Sequence, residues 1–176
     1  MKPLPAILLV DDDEDHLLVA QRAIARAELP ADVRVAGAGD EALRVLGLHP
    51  AAAEPPPPVK VVMLDLGLPD MSGWEVLKRI RASERTRRTP VVVVSSSNRP
   101  EDVRRSYELG ANSYLVKRFD RRRPGAYLAE AARYWVELNE ASRGPGRREG
   151  HGPREGPRGR ERLPGRRRAD DASDGD

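Results

Sequence analysis

The sequence has 176 residues, enough for one domain of ordinary size plus an appendage. It has no cysteine, which excludes disulfides and thiolate metal sites and fits a reducing compartment. The net charge is only +3 despite 31 Lys and Arg, so charge alone argues weakly for a nucleic-acid partner. The apolar start MKPLPAILLV runs into Asp11–Asp13, too short for a signal peptide, and no stretch approaches the ~20 apolar residues of a membrane span. The expectation is a soluble, cytoplasmic protein.

Apolar residues crowd into residues 4–138. Ala6–Val10 (AILLV) predicts a strand buried on both faces, and His16–Ala27 a helix with Leu17, Ala20, Ile24 and Ala27 at helical spacing. Val33–Ala36 predicts a second strand, and Asp40–Leu46 a short helix with Ala42, Leu43 and Leu46 on one side. Val59–Leu64 is a third strand. Ser72–Ala82 follows as a helix, with Ser72 as N-cap, Glu75 three residues on, and Val76, Leu77 and Ile80 as its apolar stripe. Val91–Val94 is a β-branched strand, and Pro100–Leu109 a helix opened by Pro and stopped by Gly110. Ser113–Val116 is a fifth strand, and Gly125–Leu138 a last helix with Leu128, Ala131, Ala132, Trp135 and Leu138 facing inward.

Strands that are continuously apolar, alternating with helices, predict a parallel sheet covered on both faces: a doubly wound α/β sandwich. Two stretches stand outside the pattern. Ala51–Pro58 (AAAEPPPP) predicts a stiff polyproline surface segment. Residues 139–176, rich in Gly, Pro and Arg and ending in Asp170, Asp171, Asp174 and Asp176, carry too little apolar surface to order and are expected to be a disordered tail.

Ligands of such folds bind at the carboxyl ends of the strands. There the first strand ends in Asp11, Asp12 and Asp13, the third in Asp65, the fourth in Ser95, Ser96 and Ser97, and the fifth in Lys117. Converging carboxylates repel unless a cation lies between them, and oxygen-only ligation suits Mg²⁺. A lysine and a hydroxyl beside them suit phosphoryl oxygens. Any one of these residues, taken alone, is more simply a turn former, a cap or a solvated side chain. Their joint occurrence at four strand ends points instead to a Mg²⁺ and phosphate site built around an aspartate.

The motifs LLVDDDED at 8–15, VVMLDLGLPDMSGWEVL at 61–77, PVVVVSSS at 90–97 and ELGANSYLVK at 108–117 resemble, in order, the receiver domain of two-component response regulators. The runs YELGANSYLVK and ARYWVELNE further resemble small stand-alone regulators that partner bacteriophytochrome-type histidine kinases. The resemblance implies a flavodoxin-like fold with a five-stranded parallel sheet over 4–138. It implies that Asp65 takes a phosphoryl group from a phosphohistidine of a sensor histidine kinase. Asp12, Asp65 and the backbone carbonyl of Gly67 would ligate Mg²⁺, with Asp11 acting through a water. Lys117 and Ser95 would bind phosphoryl oxygens, and Tyr114 would be an aromatic switch turning inward as Ser95 moves. Packing inside a half-buried strand is the plain alternative for Tyr114. The resemblance also permits a homodimer through the last helix and its neighbouring strand. The output would be altered contacts with a downstream protein.

Two positions depart from the family. Arg118 follows Lys117 where the family usually has a proline, commonly cis, so a trans loop with a slightly displaced Lys117 is expected. Gly67 lacks the side chain that often shields the phosphoryl group. Three other readings compete. A haloacid dehalogenase-type phosphatase wants a second Asp two residues after the nucleophile, where this chain has Gly67. A nucleic-acid binder would use the tail, which mixes Arg with Glu and offers no aromatic residue for stacking. A degenerate receiver would act as a phosphate-independent protein-binding module. The receiver reading makes the chain a phospho-acceptor signalling domain rather than an enzyme.

Overall fold

The computed structural model describes residues 4–49 and 58–140. The expected polyproline stretch, apart from Pro58, and the expected tail, apart from Asn139 and Glu140, lie outside the described residues. Strands and helices alternate: β1 (Ala6–Val10), α1 (Glu14–Arg26), β2 (Asp32–Ala36), α2 (Gly39–Val45), β3 (Val59–Leu64), α3 (Gly73–Ala82), β4 (Val91–Ser95), α4 (Pro100–Glu108), β5 (Ser113–Val116) and α5 (Ala126–Arg133). A π-helical turn, Tyr134–Leu138, extends α5.

All strand pairs are parallel, in the order β2-β1-β3-β4-β5. The chain therefore reverses its direction of winding between β1 and β3, and helices cover both faces. Alternation along β1 shows the consequence. Leu8 and Val10 face a core with Leu43 of α2 and Val76, Leu77 and Ile80 of α3. Ile7 and Leu9 face a second core with Ala20 and Ile24 of α1 and Leu128 and Ala132 of α5. The fold is the doubly wound sandwich that the apolar runs imply, with the flavodoxin-like strand order that the resemblance implies. Among the described residues no helix is long and apolar enough to cross a membrane.

Local chemistry sets the helix ends. α1 starts at Glu14, two residues before the apolar periodicity suggests, because the Asp13 carboxylate accepts from the backbone N–H of Asp15 at 3.0 Å and of His16 at 3.1 Å. Ser72 caps α3 by accepting from Glu75 N–H at 3.3 Å. Pro100 opens α4, and Gly110 at φ 94° follows its end.

One core assignment is corrected. Leu138 faces solvent, 69% exposed, rather than the core. The i→i+5 bond from Asn139 N–H to the Tyr134 carbonyl, 2.8 Å, widens the last turn by one residue. Trp135 and Val136 then pack on the α1/α5 core, and Leu138 is rotated off it. Trp74 is a packing residue: it lies half-buried against the other core, donates to Ser106 Oγ at 3.0 Å, and carries the Arg105 guanidinium 4.1 Å from its ring centre.

Candidate phosphoryl and metal site

The site grows from two neighbouring strands. Asp11 and Asp65 are the first residues beyond β1 and β3. Their backbones continue the ladder, Asp11 N–H donating to Ala36 at 3.1 Å and Asp65 N–H to Val10 at 2.8 Å. Both carboxylates are thereby placed at one sheet edge, at the reversal of winding. Asp11 and Asp65 are buried and Asp12 is exposed, with one oxygen of each lying within 4.8 Å of the others.

Lys117 reaches this pair from beyond β5, across the end of β4, where the residue is the small Ser95. Its Nζ lies 2.8 Å from Asp11 Oδ2 and donates to Asp65 Oδ2 at 2.9 Å. The peptide bond to Arg118 is trans, as expected of a non-proline, and Lys117 still reaches both acids. The remaining Asp65 oxygen, Oδ1, accepts from Leu66 N–H at 2.7 Å.

Asp11 has further partners. Its Oδ1 accepts from Asp13 N–H at 3.1 Å, and its Oδ2 forms a short hydrogen bond with His16 Nδ1. The other ring nitrogen of His16 lies 3.2 Å from the Tyr127 hydroxyl of α5. Burial of Asp11 opposes its ionisation, but the bonds from His16, Lys117 and Asp13 outweigh it and hold the carboxyl below its ordinary value. Burial likewise opposes charge on Lys117, and contacts with Asp11 and Asp65 outweigh it and raise the ammonium above its ordinary value.

The other expected site residues fall in two places. Ser95 is buried at the end of β4, and its Oγ accepts from Ser97 N–H at 3.2 Å. Tyr114 of β5 packs partly buried on the α2/α3 core, its hydroxyl donating to the Ser97 carbonyl at 3.0 Å. Both thus meet at the β4–α4 loop, and among the described residues neither hydrogen-bonds Asp65. Gly67 is exposed in the β3–α3 loop, bridged to Ser72, and a Cβ there would meet nothing within 4 Å.

Three residues of this edge escape a reading of the sequence. His16 lies one helical turn beyond the acids, a spacing that could have flagged it. Gly73 lets α3 approach the acidic strand end: a Cβ there would stand 2.1 Å from the Asp65 carbonyl oxygen. Asp70 caps α2 from a distant loop, accepting from Gly39 and Asp40 N–H at 2.8 Å each. Slight burial opposes its charge, but four backbone N–H bonds, from Asp40, Gly39, Asp70 itself and Met71, outweigh it and lower the carboxyl below its ordinary value. No local signal announces a cap whose partners lie some thirty residues away.

Three convergent carboxylates with no nitrogen or sulfur ligand among them make a donor set that suits a hard, oxygen-seeking ion such as Mg²⁺. The residues present therefore fit the metal.

Comparison with known proteins agrees with this geometry. Residues 7–128 match the family described as response regulator receiver domain. The chain is 37% identical over 135 residues to the "Probable methanogenesis regulatory protein FilR2" of Methanothrix harundinacea, covering 77% of this chain and 86% of that protein. The Mn²⁺-bound form of response regulator Rcp1 superimposes with a TM-score of 0.71 at 28% identity, over 80% of this chain and all of the other. The bacteriophytochrome response regulator RtBRR is 37% identical with a TM-score of 0.63, over 80% of this chain and 82% of the other.

Proposed function

The chain belongs to the response regulator receiver domain family, and from that membership we propose that it accepts a phosphoryl group on Asp65 from a histidine kinase, in a Mg²⁺-dependent reaction. The observation that carries this reading is the edge of the sheet itself: Asp65 lies among two further carboxylates with a lysine ammonium 2.9 Å away. An Asp65 oxygen attacks the phosphorus in line, the bond from phosphorus to the histidine nitrogen breaks, and the imidazole leaves with that electron pair. Catalysis of this kind is positioning and charge neutralisation. Leu66 N–H and Lys117 fix the orientation of the attacking carboxylate. Once the acyl phosphate forms, Lys117 is free to pair with a phosphoryl oxygen, and the Ser95 hydroxyl to donate to another. Asp12, Asp65 and the Gly67 carbonyl would hold Mg²⁺, with Asp11 behind a water. The ion would neutralise charge on the transferring group.

The new charge of about −2 would draw Ser95 toward the site. Its loop also carries Ser97, whose carbonyl holds the Tyr114 hydroxyl, so a shift there reaches the surface of α4 and β5 through one hydrogen bond. Output would be a changed set of protein contacts. The kinase partner is inferred to be phytochrome-like from the bacteriophytochrome response regulators among the structural neighbours.

The test is incubation with acetyl phosphate and Mg²⁺, followed by intact mass spectrometry. The expected result is a phosphoryl adduct that disappears in Asp65→Ala and without Mg²⁺. If there is no adduct, and Mg²⁺ does not bind at millimolar concentration, the proposal fails and the phosphate-independent binding module takes its place.

A further inference from the structure

A second concave site lies on the α1/α5 side, away from the carboxylates. Gly125, at φ 73°, brings the start of α5 hard against α1, where a Cβ would stand 3.0 Å from Val19 and Ala23. Between the two helices opens a cavity of about 390 Å³, a volume typical of small-molecule sites. Its floor is apolar and smooth, made by Ala23, Ala27, Ala126 and Ala129. Its walls are cationic: Arg26, Arg122, Arg123 and Arg133 face a single carboxylate, Glu130.

These guanidiniums are incompletely neutralised. Arg123 lies 3.6 Å from Glu130, and Arg133 donates to the Ala27 carbonyl at 2.9 Å with Glu137 at 3.6 Å. Among the described residues the guanidiniums of Arg26 and Arg122 have no ion-pair partner. α5 opens into the same region with no acidic residue in its first turn and no side-chain cap, and the Asp120 carboxylate ahead of it accepts from the backbone N–H of Arg122 at 2.8 Å and of Arg123 at 3.2 Å.

We propose that this cavity binds a nucleotide, with phosphates held by Arg26 and Arg122 and the base lying on the alanine floor. The chemistry matches on both counts. Guanidiniums grip phosphate oxygens through paired N–H donors and also stack on planar rings, and small side chains let a flat ring approach two helices at once. The site is separate from the Asp65 centre and does not depend on phosphorylation there.

The experiment titrates the full chain, ¹⁵N-labelled and in EDTA so that no divalent ion can bridge phosphates to the acidic site, with ADP, pyrophosphate and an acidic peptide of aspartates. Saturable amide shifts at the end of α1 and the start of α5 with ADP are expected, weakened about tenfold by Arg26→Ala or by Arg122→Ala. Both side chains are exposed, and the thermal midpoint should match wild type. Shifts confined to Asp11, Asp65 and Lys117, or none at 10 mM ADP (roughly the upper end of weak binding), would overturn the proposal. Pyrophosphate binding as tightly as ADP would overturn the base on the alanine floor, and the peptide binding there in preference would overturn the nucleotide.

Discussion

The carboxylate of Asp11 shows how much one residue can be asked to hold. It accepts from a backbone N–H, a lysine and a histidine, and is kept below its ordinary value of 3.8 in the folded chain. A carboxyl lowered by folding adds stability above its unfolded value, and that stability is lost as pH falls through the folded one. In metal-free buffer the urea midpoint of wild type should therefore drop on acidification below pH 3.8, while Asp11→Asn changes less over the same interval; parallel curves would refute the linkage. Lys117 runs the opposite way. Raised above 10.5, it stabilises fully below that pH, and its contribution is lost as pH rises through the folded value. Gly73 gives a steric prediction. Gly73→Ala forces a methyl to within 2.1 Å of the Asp65 carbonyl, so either α3 or the strand end must move. A loss of about 1–3 kcal/mol in denaturant unfolding is expected, with slower acetyl phosphate labelling of Asp65. The acids and Lys117 are legible in the sequence because each directly follows an apolar run. Gly73 is not, because what makes it necessary is backbone eight residues away.

At the scale of elements, caps and turns decide boundaries that apolar periodicity leaves open. Ser72→Ala removes the bond to Glu75 N–H and should cost about 1 kcal/mol, measured as a shift in urea midpoint. The last helix supplies a contrast. Leu128 is 2% exposed and Leu138 is 69% exposed, though straight helical spacing places both inward. Leu128→Ala should cost about 2–5 kcal/mol, whereas Leu138→Ala should stay within about 0.5 kcal/mol. Equal losses would mean that the widened turn does not persist in solution. A one-residue widening has no composition of its own, so the sequence offers no warning of it.

At the scale of the whole molecule, the described residues form one sheet shared by two cores. Alternate residues of the same strands feed opposite faces, so neither core can dissolve without stripping the strands that hold the other. The two tryptophans report separately: Trp74 packs on the α2/α3 side and Trp135 on the α1/α5 side. Trp74→Phe and Trp135→Phe, each leaving one fluorophore, should give urea transitions with coincident normalised shape and the same slope as far-UV circular dichroism. Separated transitions would show that the faces unfold independently.

By itself the sequence determined the alternation of strands and helices, the burial of the sheet on both faces, and the polar residues at four strand ends. All of these are encoded in runs of a few neighbouring residues, where periodicity and capping chemistry operate. The tertiary structure alone decided what meets across the chain. It brought His16 onto Asp11, placed Asp70 over the start of α2, stretched Lys117 across the end of β4 to two acids, and opened an arginine-walled cavity between α1 and α5. Such contacts join residues that are distant in sequence or set by a turn of helix, and their energies exist only after the sheet has fixed which strand lies beside which.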